Sequence, residues 1–145
     1  IPNPAGTTRP NFLCYFAGAN GSAVNNATIA YTHELYDDTN SVTSGIFTVP
    51  SGQAGTYMFS ATGNVYNIGT SGYFRINIQT TGSTNGLHGM GSQVLAQGST
   101  DVVSNANLLV KLAVGDTVRC VWVVPATGNY SAGLAWNTFS GVRVA

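Results

Sequence analysis

Apolar and polar residues alternate along most of this chain. Tyr57, Phe59, Ala61, Gly63 and Val65 fall on one side of an extended segment, and Thr56, Ser60, Thr62 and Asn64 on the other. Successive side chains of a strand point to opposite faces, so this period of two predicts a half-buried strand. Residues 73 to 79 repeat the pattern, with Phe74, Ile76 and Ile78 predicted inward and Tyr73, Arg75, Asn77 and Gln79 outward. Clusters of Gly, Asn, Ser and Thr interrupt the alternation every eight to twelve residues, the spacing of a β-sandwich or barrel. Neither helical periodicity nor an internal repeat is visible.

Two segments break the rule. Val118, Cys120, Trp122 and Val124 would line one face of a strand while Val121 and Val123 line the other, and Leu13 to Ala17, with Cys14, Tyr15 and Phe16, is also apolar on both sides. A strand buried on both faces of a single sandwich needs a second cover, either another subunit or a loop. The expectation is a subunit interface through Tyr15, Val121 and Val123, with a covering loop as the alternative. The segment Asn107 to Leu112 runs into Val114-Gly115-Asp116, a turn signal, and the strands flanking it are predicted to form a hairpin or its near equivalent. The Gly-rich stretch from Thr80 to Gly91 reads as the longest loop and a candidate functional surface. Residues 1 to 11, which hold three of the five prolines, read as a lead-in from an upstream region, leaving one domain over residues 12 to 145.

Composition narrows the function classes. A chain of 145 residues suits one domain with one core. Its 43% hydrophobic content and mean hydropathy of +0.11 exclude a disordered tail. No stretch approaches the ~20 apolar residues of a membrane-spanning helix, so no membrane insertion is expected. Only five basic and five acidic residues occur, against forty-seven Asn, Ser, Thr and Gln. Nucleic-acid binding needs clustered cations to displace counterions from phosphates, and Arg9, Arg75, Lys111, Arg119 and Arg143 are scattered, which argues against that partner. Zero net charge leaves little repulsion between copies, so self-association meets no electrostatic barrier.

Candidate chemistry is sparse. His33-Glu34-Leu35-Tyr36-Asp37 begins like a zinc helix motif but ends in Asp where the second His belongs, on a segment with no helical pattern. Glu34, Asp37 and Asp38 form the one acidic cluster, a weak calcium candidate set against a plain turn-capping role for the two aspartates. No cofactor is called for. The cysteines, Cys14 and Cys120, sit in apolar runs where free thiols are favoured over a bridge. Nucleophile motifs are absent, and five acidic residues leave few carboxylate pairs for hydrolysis of a surface glycan. Sequons at Asn20, Asn26 and Asn129 match chance for so much Asn, Ser and Thr. Tyr130 and Trp136, in a stretch near the C-terminus that also holds Asn129, Gly133 and Asn137, are candidate ligand-binding aromatics, with core packing or subunit contact as the alternative.

The run Tyr36-Asp37, then Gly45-Ile46-Phe47-Thr48-Val49-Pro50, then Gly55-Thr56-Tyr57-Met58-Phe59 resembles the signature of C1q-like domains in the tumour necrosis factor superfold. Leu108 to Val118, with Gly115-Asp116, and Thr138-Phe139-Ser140-Gly141 resemble two later family elements, so the likeness spans residues 12 to 145 in the right order. Departures are the longer Ser51-Gly52-Gln53-Ala54 stretch and an opening element reading Tyr15-Phe16-Ala17. The resemblance implies an all-β, ten-stranded jelly-roll sandwich of two antiparallel sheets, with Phe47, Tyr57, Phe59, Gly115, Phe139 and Gly141 as framework residues, assembled as a homotrimer. It also implies a non-enzymatic module that binds a partner. The low-charge surface rich in Asn, Ser, Thr and Gly points to the terminal knob of a virion decoration, tail fibre or other appendage, binding a host-surface glycan or protein receptor. The alternative is a secreted C1q-like signalling or pattern-recognition protein.

Overall fold

The alternation is realised as thirteen strands and no helix in a computed structural model that describes residues 8–83, 88–98, 101–125 and 128–145. In chain order they are β1 (Asn11–Tyr15), β2 (Gly21–Ala23), β3 (His33–Asp37), β4 (Val42–Thr43), β5 (Ile46–Thr48), β6 (Gly55–Val65) and β7 (Ile68–Thr81). They continue as β8 (His88–Met90), β9 (Val94–Gly98), β10 (Val102–Leu112), β11 (Thr117–Val123), β12 (Gly128–Tyr130) and β13 (Thr138–Arg143). A five-stranded antiparallel sheet has the order β10-β6-β13-β1-β3, and a second runs β4-β5-β11-β7-β8 with β9 also on β7. The two sheets form the jelly-roll sandwich.

Ten strands were expected, and the surplus has local causes. β2 and β12 form a separate two-stranded ribbon. The chain opposite β7 is split into β8 and β9 because, between them, Gly91 N–H bonds Ile76 O at 2.8 Å while Ser92 N–H bonds Asn105 O at 3.1 Å, on the opposite sheet. A backbone that turns to β10 in this way cannot stay in ladder with β7. The Gly-rich stretch from Thr80 to Gly91 therefore contains the end of β7 and all of β8, and residues 84–87 within it lie outside the described residues. At the start of the chain, residues 1–7 lie outside them too, Pro10 is buried, and its carbonyl accepts from Arg143 N–H at 3.0 Å.

The core assembles where the framework residues converge. Phe12, Phe47, Tyr57, Phe59 and Phe139 are at most 1% exposed, and Phe12 stacks on Phe47 at 5.2 Å and meets Phe139 edge-on at 5.0 Å. Phe59 lies 5.5 Å from Phe47 and 5.9 Å from Phe139, so rings from both sheets interlock. Such pairs add to the stabilisation from apolar burial. Gly141 makes room for them: a Cβ there would lie 2.5 Å from Phe12 and 2.6 Å from Phe59. The Tyr57 hydroxyl donates to Gln53 O, so the ring is buried and its polar tip is satisfied.

The turn at residues 113–116 does not close a hairpin. β10 pairs β6 in one sheet, whereas β11 pairs β5 and β7 in the other, so the turn carries the chain across the end of the sandwich. Asp116 explains the geometry. Its buried carboxylate accepts from Ala113 N–H at 2.8 Å and Ser83 N–H at 2.7 Å, while Gly115 N–H and Val49 O, then Val49 N–H and Asp116 O, bond the turn to the chain beyond β5. Burial alone would raise the Asp116 pKa, but the hydrogen bonds from Ser83 and Ala113 outweigh it and hold the carboxyl below its ordinary value. Gly115 supplies the left-handed residue of the turn, at φ +85°.

Candidate interaction surface

The outer face of the five-stranded sheet gathers several exposed apolar side chains. Register places Leu109, Met58 and Val142 side by side across β10, β6 and β13, and Leu13 beside Tyr36 on β1 and β3. Ser60 and Ser140 separate these groups, and beyond them Tyr15 packs on His33 with ring centroids 5.8 Å apart. Leu109 is 67% exposed, Met58 51% and Tyr36 41%. A groove of about 140 Å³ runs between Tyr36, Met58 and Val142. Lys111 on β10 and Asp38 beyond β3 lie at the margins, so the centre is uncharged, the composition expected at the middle of a protein interface. Of the predicted interface residues, Tyr15 belongs here. Met58 and Leu109 were legible as apolar residues in outward positions of alternating strands, but nothing in the sequence said that their faces coincide.

Val121 and Val123 lie on the other sheet. Val121 is only 2% exposed within a single chain, so its burial requires no second subunit. The cover is intramolecular: residues 26–29 run along β11, with Asn26 N–H bonded to Trp122 O at 2.8 Å and Ile29 N–H to Cys120 O at 2.9 Å. Arg119 spans the same face, donating from Nη1 to Thr28 Oγ1 at 2.9 Å and from Nη2 to Gln79 Oε1 at 3.3 Å. Val123 remains partly exposed. The covering segment accounts for the two-faced pattern at Val121.

Tyr130 and Trp136 have different surroundings. Tyr130 stacks on Phe16 at 4.1 Å and lies near-parallel to Trp122 at 5.9 Å, which places it in a packed aromatic run beside a cleft of about 180 Å³ bordered by Val24 and Ile29. Trp136 is 44% exposed and makes no ring contact with Tyr130 among the described residues. It projects from a turn held by the fully buried Asn137, whose Oδ1 accepts from Asn64 N–H at 2.9 Å and whose Nδ2 donates to Ser131 O at 2.7 Å. This crossing turn also buries Asn64, whose outward position in the alternation suggested exposure.

The acidic cluster is absorbed by local structure. Asp37 accepts from Val42 N–H at 2.7 Å, Thr39 N–H at 3.3 Å and Ser41 Oγ at 3.2 Å, and Asp38 accepts from Asn11 Nδ2 at 3.2 Å. Glu34 lies on the exposed edge strand β3, and no group of three or more potential metal ligands occurs among the described residues. Asp37 caps the turn after β3 through its bonds to Thr39 N–H and Val42 N–H, whereas Asp38 bonds a side chain.

Cys14 and Cys120 are both buried free thiols. Burial, with smaller contributions from Glu34 and Asp37, pushes the Cys14 thiol from 9.0 up to about 12, and burial raises Cys120 well above its ordinary value. Burial also raises Tyr57 from 10.0 to about 12 and Tyr31 well above 10.0. Because the unfolded chain ionises first, the native state is expected to keep its full stability below about pH 9 and to lose it progressively as pH rises towards 12. Iodoacetamide at pH 8 should leave both thiols unmodified in the native protein and alkylate both in denaturant; rapid native labelling of either would contradict the burial described.

No protein-family profile matches the chain, and no curated protein sequence matches it. Among solved structures, the globular domain of zebrafish complement 1qA protein is similar over 94% of this chain and 98% of its own, with a TM-score of 0.71 and 15% identity. Eiger TNF from S. frugiperda is similar over 94% and 92% of the two chains, with a TM-score of 0.66 and 10% identity. Murine APRIL, in a crystal structure at pH 5.0, is similar over 94% and 100%, with a TM-score of 0.65 and 9% identity. The chain has an all-β jelly-roll fold similar to that of these C1q and TNF-type domains.

Proposed function

We propose that this chain is a non-enzymatic recognition module that acts as a homotrimer, with the outer face of the five-stranded sheet as the subunit contact. The observation that carries this is the uncharged apolar surface of Met58, Leu109, Val142, Leu13, Tyr15 and Tyr36. Three such faces turned inward around an axis bury one another, and closed symmetry is the usual outcome for a self-complementary or ring-forming patch. The likeness to a complement globular domain and to TNF supports a partner-binding role outside the cell. Trimerisation would present three copies of each outward-facing surface, so that weak contacts to a cell-surface protein or glycan act together.

Two settings fit this module. A secreted ligand is supported by the complement and TNF likeness. A virion appendage knob is supported only by the neutral surface rich in Asn, Ser, Thr and Gly. Sedimentation or light scattering tests the assembly common to both: three chains of 15.0 kDa give a species of about 45 kDa. A 15.0 kDa species persisting at micromolar concentration would overturn the proposal.

A further inference from the structure

The outer face of the six-stranded sheet carries a cation that none of the described residues pairs. Arg75 lies in the middle of β7, opposite Val123 of β11, and Tyr73 precedes it on the same face, opposite Leu95 of β9. Tyr73, Arg75, Gln93 and Val123 enclose a cleft of about 170 Å³. Arg75 makes no hydrogen bond or ion pair with a described residue, and its Nε is shut off from water with no acceptor. Arg119, on the same sheet, already bonds Thr28 and Gln79.

No acid of this chain can supply the missing partner. Asp37 and Asp38 are committed to the turn after β3, Glu34 lies on the edge of the other sheet, Asp116 holds the turn before β11, and Asp101 accepts from Asn64 Nδ2 at 3.3 Å. Those are all five acidic residues, and none falls outside the described residues. A guanidinium whose inner nitrogen is desolvated is poorly screened, which strengthens its attraction for an anion seated in the cleft.

We propose that the Arg75 cleft binds the carboxylate of an Asp or Glu side chain presented by a protein partner. A single monovalent cation with neutral neighbours matches a monoanionic carboxylate better than a phosphate, which calls for several donors. The surroundings select a protein source: Tyr73 is 59% exposed and Leu95 58%, so the cation is bordered by apolar surface of the kind that packs against a partner's side chains. Arg and Tyr in such a setting are the residue types that dominate binding energy at protein interfaces. The cleft lies on the side of the sandwich away from the proposed subunit contact, and the inference does not depend on trimerisation.

The test is amide and arginine Nε–H NMR on the 15N-labelled chain, titrated with N-acetyl-Leu-Asp-Leu-amide. Saturable shifts are expected at Tyr73, Arg75 and Val123. The Asn counterpart should bind at least about tenfold more weakly, Arg75→Met should lose the response, and Arg75→Lys, which keeps the charge without the fork, should retain only part of it. Arg75→Met is surface-facing, and an unchanged spectrum elsewhere will verify its fold; should it not fold, the Asp/Asn comparison on the unmodified chain decides. No shift with the Asp peptide, an equal response to the Asn peptide, or a response that survives Arg75→Met overturns the proposal. Tighter binding of glucuronate than of the Asp peptide overturns the protein source in favour of an acidic glycan.

Discussion

Met58→Glu combined with Leu109→Glu is expected to release monomers of 15.0 kDa that keep their fold. The two side chains are direct neighbours across the β6–β10 ladder, and both are more than half exposed in the single chain, so carboxylates there remain hydrated in the monomer. In the proposed assembly the same carboxylates would be buried without cations, at a cost on the order of 3 kcal/mol or more per subunit, enough to weaken association by over about a hundredfold. Sedimentation reads the mass and circular dichroism the fold. Val121→Glu is the informative contrast. Val121 is 2% exposed within one chain, so a carboxylate there should unfold the subunit rather than part subunits. A double variant that remained at the wild-type mass would remove the five-stranded face as the contact.

Phe59→Ala should be the most damaging single truncation of the core. Its ring is 0% exposed and lies within 6.3 Å of Phe12, Phe47, Tyr57 and Phe139, which come from three other strands and from β6 itself. Removing it strips apolar contacts from both sheets and leaves a cavity that four rigid rings are poorly able to fill. The expected loss is about 3–5 kcal/mol, against a total stability of about 5–15 kcal/mol for a typical domain. Urea unfolding at one fixed protein concentration measures it, since assembly makes the midpoint depend on concentration. A loss below about 1 kcal/mol would mean that the ring cluster is not the centre of the core.

Much of this architecture was legible one strand at a time. The alternation over residues 57–65 and 73–79 assigned Phe59, Phe74, Ile76 and Ile78 to the interior, where they are 0% exposed. Phe47 and Phe139 bring large rings to the same space from opposite sheets, each packed on Phe59. The interaction surface was less legible. The apolar pattern at residues 118–124 suggested a partner, whereas residues 26–29 of the same chain cover Val121. Asn64 stood in an outward position and is nevertheless buried, because the turn that includes Asn137 folds over it.

The sequence by itself determined the alternating strands, the apolar side chains that point inward from them and the neutral character of the surface, because the pleat makes facing a property of neighbouring residues. Which strands pair, and which outward faces stay open, was decided only by the tertiary structure. The turn through Gly115 and Asp116 could have closed a hairpin by its residues alone; bonds to Val49 and Ser83, far away in the chain, send it to the other sheet. Met58, Leu109 and Val142 become one surface, and Arg75 a cation without a partner among the described residues, through register between strands distant in sequence. Long-range pairing of this kind leaves no periodic mark on the segments it joins.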